Sequence, residues 1–217
     1  MCMFERERTK PYVIRYALYL YFLGLSLRST SRAIEPFANR SYVSVWYWIQ
    51  RFDPKRIYPS KRERVSAFII DETQIQIGYN VAWLWVAVEP IHRQILGIYI
   101  SRHRNMLVTE LFLKSLIKLY GKHIVYSDGG TWYPEACDSL GLKHKLHSPF
   151  EKSIIERAME YVKDRTETFD DYYPCVKEDC NFKHVYNWIG LFVFMYNAMR
   201  VSIKFRLLIH LMGGDNA

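Results

Sequence analysis

Two β-type runs of this chain end in aspartate, Phe68-Ile69-Ile70-Asp71 and Ile124-Val125-Tyr126-Ser127-Asp128, and what lies between them restricts the fold sharply. Between them come two more β-compatible runs, Ala82 to Val88 and Ile95 to Ser101. Gly78 and Asn80 break the first pair of runs and Pro90 the second, so Val65 to Ile70 and its two successors read as an antiparallel meander. Asn105 then caps a helix whose Leu107, Leu111, Leu116 and Leu119 are expected to keep one side buried, and Gly121 ends it. The strand at His123 to Ser127 is reached through that crossover helix, so it must lie parallel to a strand of the same sheet. A short helix at Pro134 to Leu140, a strand at Leu142 to Leu146 and a long helix from Ser153 to about Thr168 follow. The expected class is α/β, with a mixed five-stranded sheet flanked by helices.

Ahead of this pattern the texture is different. Val13, Tyr16, Ala17 and Leu20 recur at helical spacing, and Gly24 can end that helix. Ser29 to Phe37 forms a second helical segment. After a turn at Asn39 to Ser41, Tyr42, Val45, Trp46 and Ile49 mark a third helix that Pro54 stops. Three short helices with a tight turn before the last form the helix-turn-helix pattern, whose final helix lies in the DNA major groove. Its outward face is expected to carry Ser44, Tyr47, Gln50 and Arg51, with Arg28, Arg32 and Arg40 anchoring the DNA backbone. A plain three-helix cap on the next domain is the alternative. The segment DPKRIYPSKRER at 53–64 joins two prolines to five basic residues and reads as a linker. The expected domains are therefore a helix-turn-helix domain at 1–53, a basic linker at 54–64, a core at 65–170 and a helical extension at 171–217. In that extension His184 to Arg200 is apolar nearly all round, as in a buried helix, and packs on the sheet or on a second subunit.

A net charge of +8 and a pI of about 9.2 favour a polyanionic partner. The apolar stretch Tyr16 to Leu25 is too short to span a bilayer, which needs roughly 20 residues. The leading segment, mixing Glu5 and Glu7 with basic residues, fits a secretory signal poorly. The expected location is the cytoplasm, with no membrane partner. Cys2, Cys137, Cys175 and Cys180 are too sparse for a disulfide framework and read as ordinary thiols; zinc held by Cys175, Cys180 and His184 is the weaker alternative.

Side chains at neighbouring C-terminal strand ends converge on the crevice where ligands bind. If the strands of Asp71 and Asp128 pair, their carboxylates reach one metal ion, and neither charge is tolerated there without a counter-ion. Carboxylates select hard cations such as Mg²⁺ or Mn²⁺, and two ions about 3.5–4 Å apart suit phosphoryl transfer. A third ligand must arrive on the helix starting at Ser153, where Glu156 sits in the first turn. Ser153 to Glu156 also fits a capping box, in which the glutamate merely bonds the helix start. Glu72 is turned to the opposite face by strand alternation and is not counted as a ligand. His92, His103, His123, His144 and His147 lack paired metal spacing and read as surface or DNA-facing groups. Arg102, Arg104, Lys143, Lys145 and Lys152 flank the site and could neutralise phosphates.

The order strand, strand, strand, helix, strand, helix, strand, helix over roughly 65–170, with acids at Asp71, Asp128 and Glu156, resembles the DDE transposases and retroviral integrases, whose core is RNase H-like. The resemblance implies that these three residues hold the catalytic metals, Mg²⁺ or Mn²⁺ and two ions. It implies that Lys163, seven residues after Glu156, contacts DNA, as Arg157 and Lys152 would beside it. It also matches the N-terminal helix-turn-helix to the part of insertion-sequence transposases that binds element ends. One departure stands out: 27 residues lie between Asp128 and Glu156, fewer than is usual in the integrase-like groups, which leaves Glu151 and Glu160 as alternative ligands. The expected function is a transposase that binds terminal inverted repeats as a homodimer or higher homo-oligomer, cleaves a strand with metal-activated water, and joins the 3′-hydroxyl to target DNA. A non-catalytic DNA-binding regulator or inactive remnant, and a nuclease of the same fold, are the alternatives.

Overall fold

The computed structural model describes residues 8–51, 65–77, 80–167 and 182–200, so Cys2, Cys175, Cys180 and the whole basic linker fall outside it. The elements run α1 (Pro11–Phe22), α2 (Leu27–Ile34), α3 (Tyr42–Gln50), β1 (Ala67–Ile77), β2 (Asn80–Val88), β3 (Ile95–Ser101) and α4 (Met106–Tyr120). They continue with β4 (Ile124–Ser127), α5 (Trp132–Ser139), β5 (His144–Leu146), α6 (Pro149–Glu167) and α7 (Phe182–Arg200). Two compact units result, Met1–Ile57 with Lys183–Ala217, and Tyr58–Phe182.

The second unit is a five-stranded sheet in the order β3-β2-β1-β4-β5. β1, β2 and β3 form the antiparallel meander, whereas β4 lies parallel to β1 and β5 parallel to β4, as the crossover through α4 requires. This is the mixed RNase H-like sheet. Alternation divides the side chains between two faces. Phe68 and Ile70 with Trp85 and Ala87 pack beneath Phe112, Leu113 and Leu116 of α4 and Tyr133, Ala136 and Cys137 of α5. Ile69, Asp71, Leu84, Val86 and Val88 project to the other face, and α6 packs on β1 and β2 with Ile154, Ile155, Ala158, Met159 and Val162 buried.

Three local expectations are corrected. β1 does not end at Asp71: Thr73-Gln74-Ile75-Gln76-Ile77 keeps the two-residue alternation, buries both isoleucines and pairs with β2 as far as Asn80. The charged Asp71-Glu72 pair interrupts the apolar run without interrupting the ladder. On α4, Leu107 and Leu111 are 63% and 45% exposed. The buried stripe is instead Thr109, Phe112, Leu113 and Leu116, at the spacing of one helical face. The α6 helix starts at Pro149 rather than Ser153, because proline suits a first helical position and Ser148 and Glu151 close a capping box before it. There the Ser148 amide donates to Glu151 Oε2 at 2.9 Å, the Ser148 hydroxyl bonds the same oxygen, and the Phe150 amide donates to Ser148 Oγ at 3.2 Å.

In the first unit α1, α2 and α3 pack on one another around Ile14, Leu18, Ile34, Val45 and Trp48. Ser26 caps α2 by accepting from the Ser29 amide at 3.1 Å. The apolar α7 packs on α1. Trp188 Nε1 donates to the Tyr21 hydroxyl at 3.1 Å, and the ring of Phe22 sits 5.5 Å from that of Trp188 and 6.2 Å from that of Phe192. The aromatic end of α1 supplies the partner that the sequence pattern of α7 alone does not identify. No helix among the described residues is long and apolar enough to cross a membrane.

Candidate active site

Ile69 of β1 lies beside Tyr126 of β4 in the parallel ladder, and continuing that register by two residues sets Asp71 level with Asp128. The two carboxylates do meet. Asp71, Glu72 and Asp128 each bring an oxygen within 4.8 Å of the others, the one such group of acids among the described residues. Glu72 is the part that the alternation rule misses. Its Cα does turn to the opposite face, where it is buried: Arg104 Nε donates to Oε1 at 2.6 Å and the Tyr133 hydroxyl donates to Oε2. Its longer side chain nevertheless brings its carboxylate back to the edge of the cluster.

Backbone donors fix the two aspartates. Asp71 Oδ1 accepts the Glu72 amide at 2.9 Å, and Asp128 Oδ1 accepts the Gly130 amide at 3.0 Å. Gly130 cannot be enlarged without a shift, because a Cβ there would lie 2.8 Å from the Trp132 ring. The Arg104 guanidinium in turn lies over the Trp132 ring at 4.2 Å and over the Trp83 ring at 4.8 Å.

Burial and crowding of like charges raise the pKa of two of these acids, Asp71 and Glu72. Burial first, then the charge of Glu72, pushes Asp71 from an ordinary 3.8 to about 7. Burial likewise raises Glu72, against the pull of its bonds to Tyr133 and Arg104. Tyr133 is raised well above the ordinary phenol, by burial and then by the Glu72 charge beside it. Because folding raises the Asp71 pKa, its contribution to stability is fully present below 3.8 and is lost as pH rises through about 7. A divalent cation held by Asp71 would have to displace that proton. Its apparent affinity is therefore expected to climb by about tenfold per pH unit below neutrality and to level off above it, which Mn²⁺ titrations across that range will show.

Glu156 lies in the second turn of α6, not the first, and is 60% exposed, with Lys152 Nζ 3.8 Å from its carboxylate. It is not among the acids that meet at 4.8 Å. The capping box falls to Glu151, so neither Glu156 nor its neighbour Ser153 is occupied in that way. Lys152, Arg157, Glu160 and Lys163 are exposed on the same helix. Of the histidines, His144 is half-buried, with Nε2 2.8 Å from Ser127 Oγ and its ring stacked on Tyr133, and His123 Nε2 is 2.9 Å from the Tyr120 carbonyl. Burial lowers the pKa of both His144 and His147. These three are packing groups of the β4 and β5 strands and their ends, not surface groups.

In the helical unit Arg28 and Arg32 are exposed, and Arg28 lies over the Tyr42 ring at 5.3 Å. Arg40 is tied inward, donating from Nε to Thr9 Oγ1 at 2.6 Å and from Nη1 to the Asn39 carbonyl at 2.9 Å. Gln50 is not outward-facing as expected, since its Oε1 is buried. The exposed face of α3 carries Val43, Trp46 and Tyr47 in its place. Beside that face Arg8, Thr9, Arg40, Ser44, Tyr47, Trp48 and Arg51 line a cavity of about 430 Å³.

Paired aspartates on adjacent parallel strands of a mixed, meander-first sheet define the RNase H-like class of nucleic-acid enzymes and their relatives. Within that class a family model described as DDE domain matches residues 65–173, and the chain belongs to this family of DDE-type transposases. A Methanocaldococcus jannaschii protein, Uncharacterized protein MJ0017, is 33% identical over 199 residues, covering 91% of each chain. Among solved structures, the catalytic core domain of BIV integrase is similar at 20% identity with a TM-score of 0.43, over 62% of this chain and 83% of that one. The HTLV-2 integrase catalytic core in complex with magnesium is similar at 17% identity with a TM-score of 0.44, over 59% and 83%.

Proposed function

We propose that the protein is a DNA transposase that cleaves the ends of its element and joins the freed 3′-hydroxyl to target DNA. The observation that carries this reading is the meeting of Asp71 and Asp128, which approach from strands separated by the whole meander and crossover helix. Their donor set is all oxygen and carries excess negative charge, which fits hard divalent cations, Mg²⁺ or Mn²⁺, and fits soft metals badly. When bound, two such ions activate the attacking oxygen and stabilise the leaving one.

Asp71 and Asp128 would hold the cations, and Glu156 is the proposed third ligand. Alternation puts Asp71 on the face that α6 covers, the helix that carries Glu156, and capping accounts for Glu151. This exposed side chain would have to move to reach the pair. Lys152, Arg157 and Lys163, on the same helix, would contact DNA phosphates. In the helical unit Arg28, Arg32, Arg40, Ser44, Tyr47 and Arg51 would hold the terminal repeat. The arginine-lined cavity beside α3 supports that role, since guanidinium groups converging on a concave surface suit phosphate. Gln50 is withdrawn from the contact set. The working form would be a homodimer or higher homo-oligomer on DNA.

The experiment is an end-joining assay. Labelled duplex from the inverted repeats flanking the gene is incubated with the protein, Mg²⁺ or Mn²⁺ and a target plasmid. Metal-dependent cleavage followed by label joined to the plasmid is expected. Cleavage without joining would indicate a nuclease of this fold, and binding with no cleavage a regulator; either outcome overturns the proposal.

A further inference from the structure

Arg104 is built into the site more firmly than a residue that only neutralises charge needs to be. Its guanidinium lies over the rings of both Trp83 on β2 and Trp132 at the start of α5, and its Nε donates to Glu72, the neighbour of Asp71. Trp132 stands four residues beyond Asp128, across the Gly129-Gly130 pair. The adjacent Tyr133 makes a second link between the same segments: its hydroxyl bonds Glu72, while its amide donates to the Gly130 carbonyl at 3.2 Å. The loop that carries Asp128 is thus fastened twice to the residue beside Asp71.

The electrostatics explain why fastening is needed. Asp71 and Asp128 repel each other, and Asp128 is one of the charges that raise Asp71. Between Asp128 and Trp132 the chain has two glycines, whose wide conformational freedom offers little resistance to that repulsion. Contact with two aromatic rings restrains the plane of a guanidinium, and one hydrogen-bonded edge restrains its rotation. Lysine can supply the charge but neither constraint.

We infer that Arg104 is a positioning residue: the stack Trp83, Arg104, Trp132, closed on Glu72, sets the separation of Asp71 and Asp128 and so the affinity of the pair for a divalent cation. This rests on the proposal that the two aspartates share such an ion. The sign of the effect separates geometry from charge. Removing a positive group near a cation site would by itself tighten cation binding, whereas loosening the ligands weakens it.

Mn²⁺ binding to the full chain, measured without DNA by calorimetry and by the electron paramagnetic resonance of free ion, tests this. Arg104→Lys and Trp132→Ala are each expected to weaken Mn²⁺ binding about tenfold, the range found when groups orienting metal ligands are removed. Trp132→Phe, which keeps an aromatic face over the guanidinium, should stay within about twofold of the parent. The double variant Arg104→Lys with Trp132→Ala should be no weaker than either single one, since both break the same link. Parent-like Mn²⁺ binding by both Arg104→Lys and Trp132→Ala, or tighter binding by Arg104→Ala, overturns the inference. If Arg104→Lys fails to fold by circular dichroism, Trp132→Ala, which keeps the Glu72 pair, decides the question. Parent-like binding by Asp71→Asn and Asp128→Asn would instead sink the underlying metal site, so the two failures are distinguishable.

Discussion

Asp128→Asn and Asp71→Asn are each expected to reduce strand joining on the order of a thousandfold or more, about 4 kcal/mol of transition-state stabilisation, while leaving DNA binding and folding intact. The structure shows why the fold should survive. Each aspartate uses Oδ1 to accept a backbone amide, from Gly130 or from Glu72, and an asparagine carbonyl can accept the same bond. What the amide cannot do is bring a negative charge to a cation. Stability should move the other way from activity, because each substitution removes one charge from a cluster that repels itself. Thermal unfolding without metal should therefore occur at or above the parent temperature at pH 8, where the parent Asp71 carries its charge. Joining activity at the parent level in either variant would remove that residue from the site.

Phe112→Ala should have the largest effect on stability, a loss of about 3–5 kcal/mol. Phe112 is fully buried and stacks on Tyr99 with ring centroids 6.3 Å apart. It fills the space between α4 and β3, where Gly97 leaves room and where a Cβ at Gly97 would already meet Leu116 at 2.8 Å. Few neighbours can move to close a hole there, so the lost contacts and the cavity both count. Urea unfolding gives the number, and a loss under about 1 kcal/mol would mean that the α4 face of the sheet is not the core described here.

Much of this architecture is legible before any coordinates, because it follows from connection lengths. Short breaks at Gly78 to Asn80 and at Pro90 suit hairpins, and the helix after Asn105 makes β4 parallel to a strand of the same sheet; that this strand is β1, which brings Asp128 to Asp71, is not fixed by connection lengths. Element ends were harder. Asp71 and Glu72 look like a strand end because charges are rare in ladders, yet Gln74, Ile75, Gln76 and Ile77 continue the alternation. Ser153 resembles a cap, but the stronger signal lay five residues earlier, where Ser148, Pro149 and Glu151 combine a cap, a first-turn proline and a capping glutamate.

Other features depend on tertiary contact and have no local signature. The stack around Arg104 unites residues 83, 104 and 132, and nothing in their spacing predicts it. The return of Glu72 to the cluster depends on side-chain length, which a rule about Cβ directions does not contain. An all-round apolar helix such as α7 shows that it is buried, not against what. Its partner, the aromatic end of α1, lies more than 150 residues away in sequence.

The most direct measurement is a crystal structure of the protein soaked in Mn²⁺, with the ion located by its anomalous scattering. A peak bridging the carboxylates of Asp71 and Asp128, absent from the Asp128→Asn variant, is the predicted result. Well-ordered carboxylates turned away from each other, with no Mn²⁺ between them at saturating concentration, would contradict it.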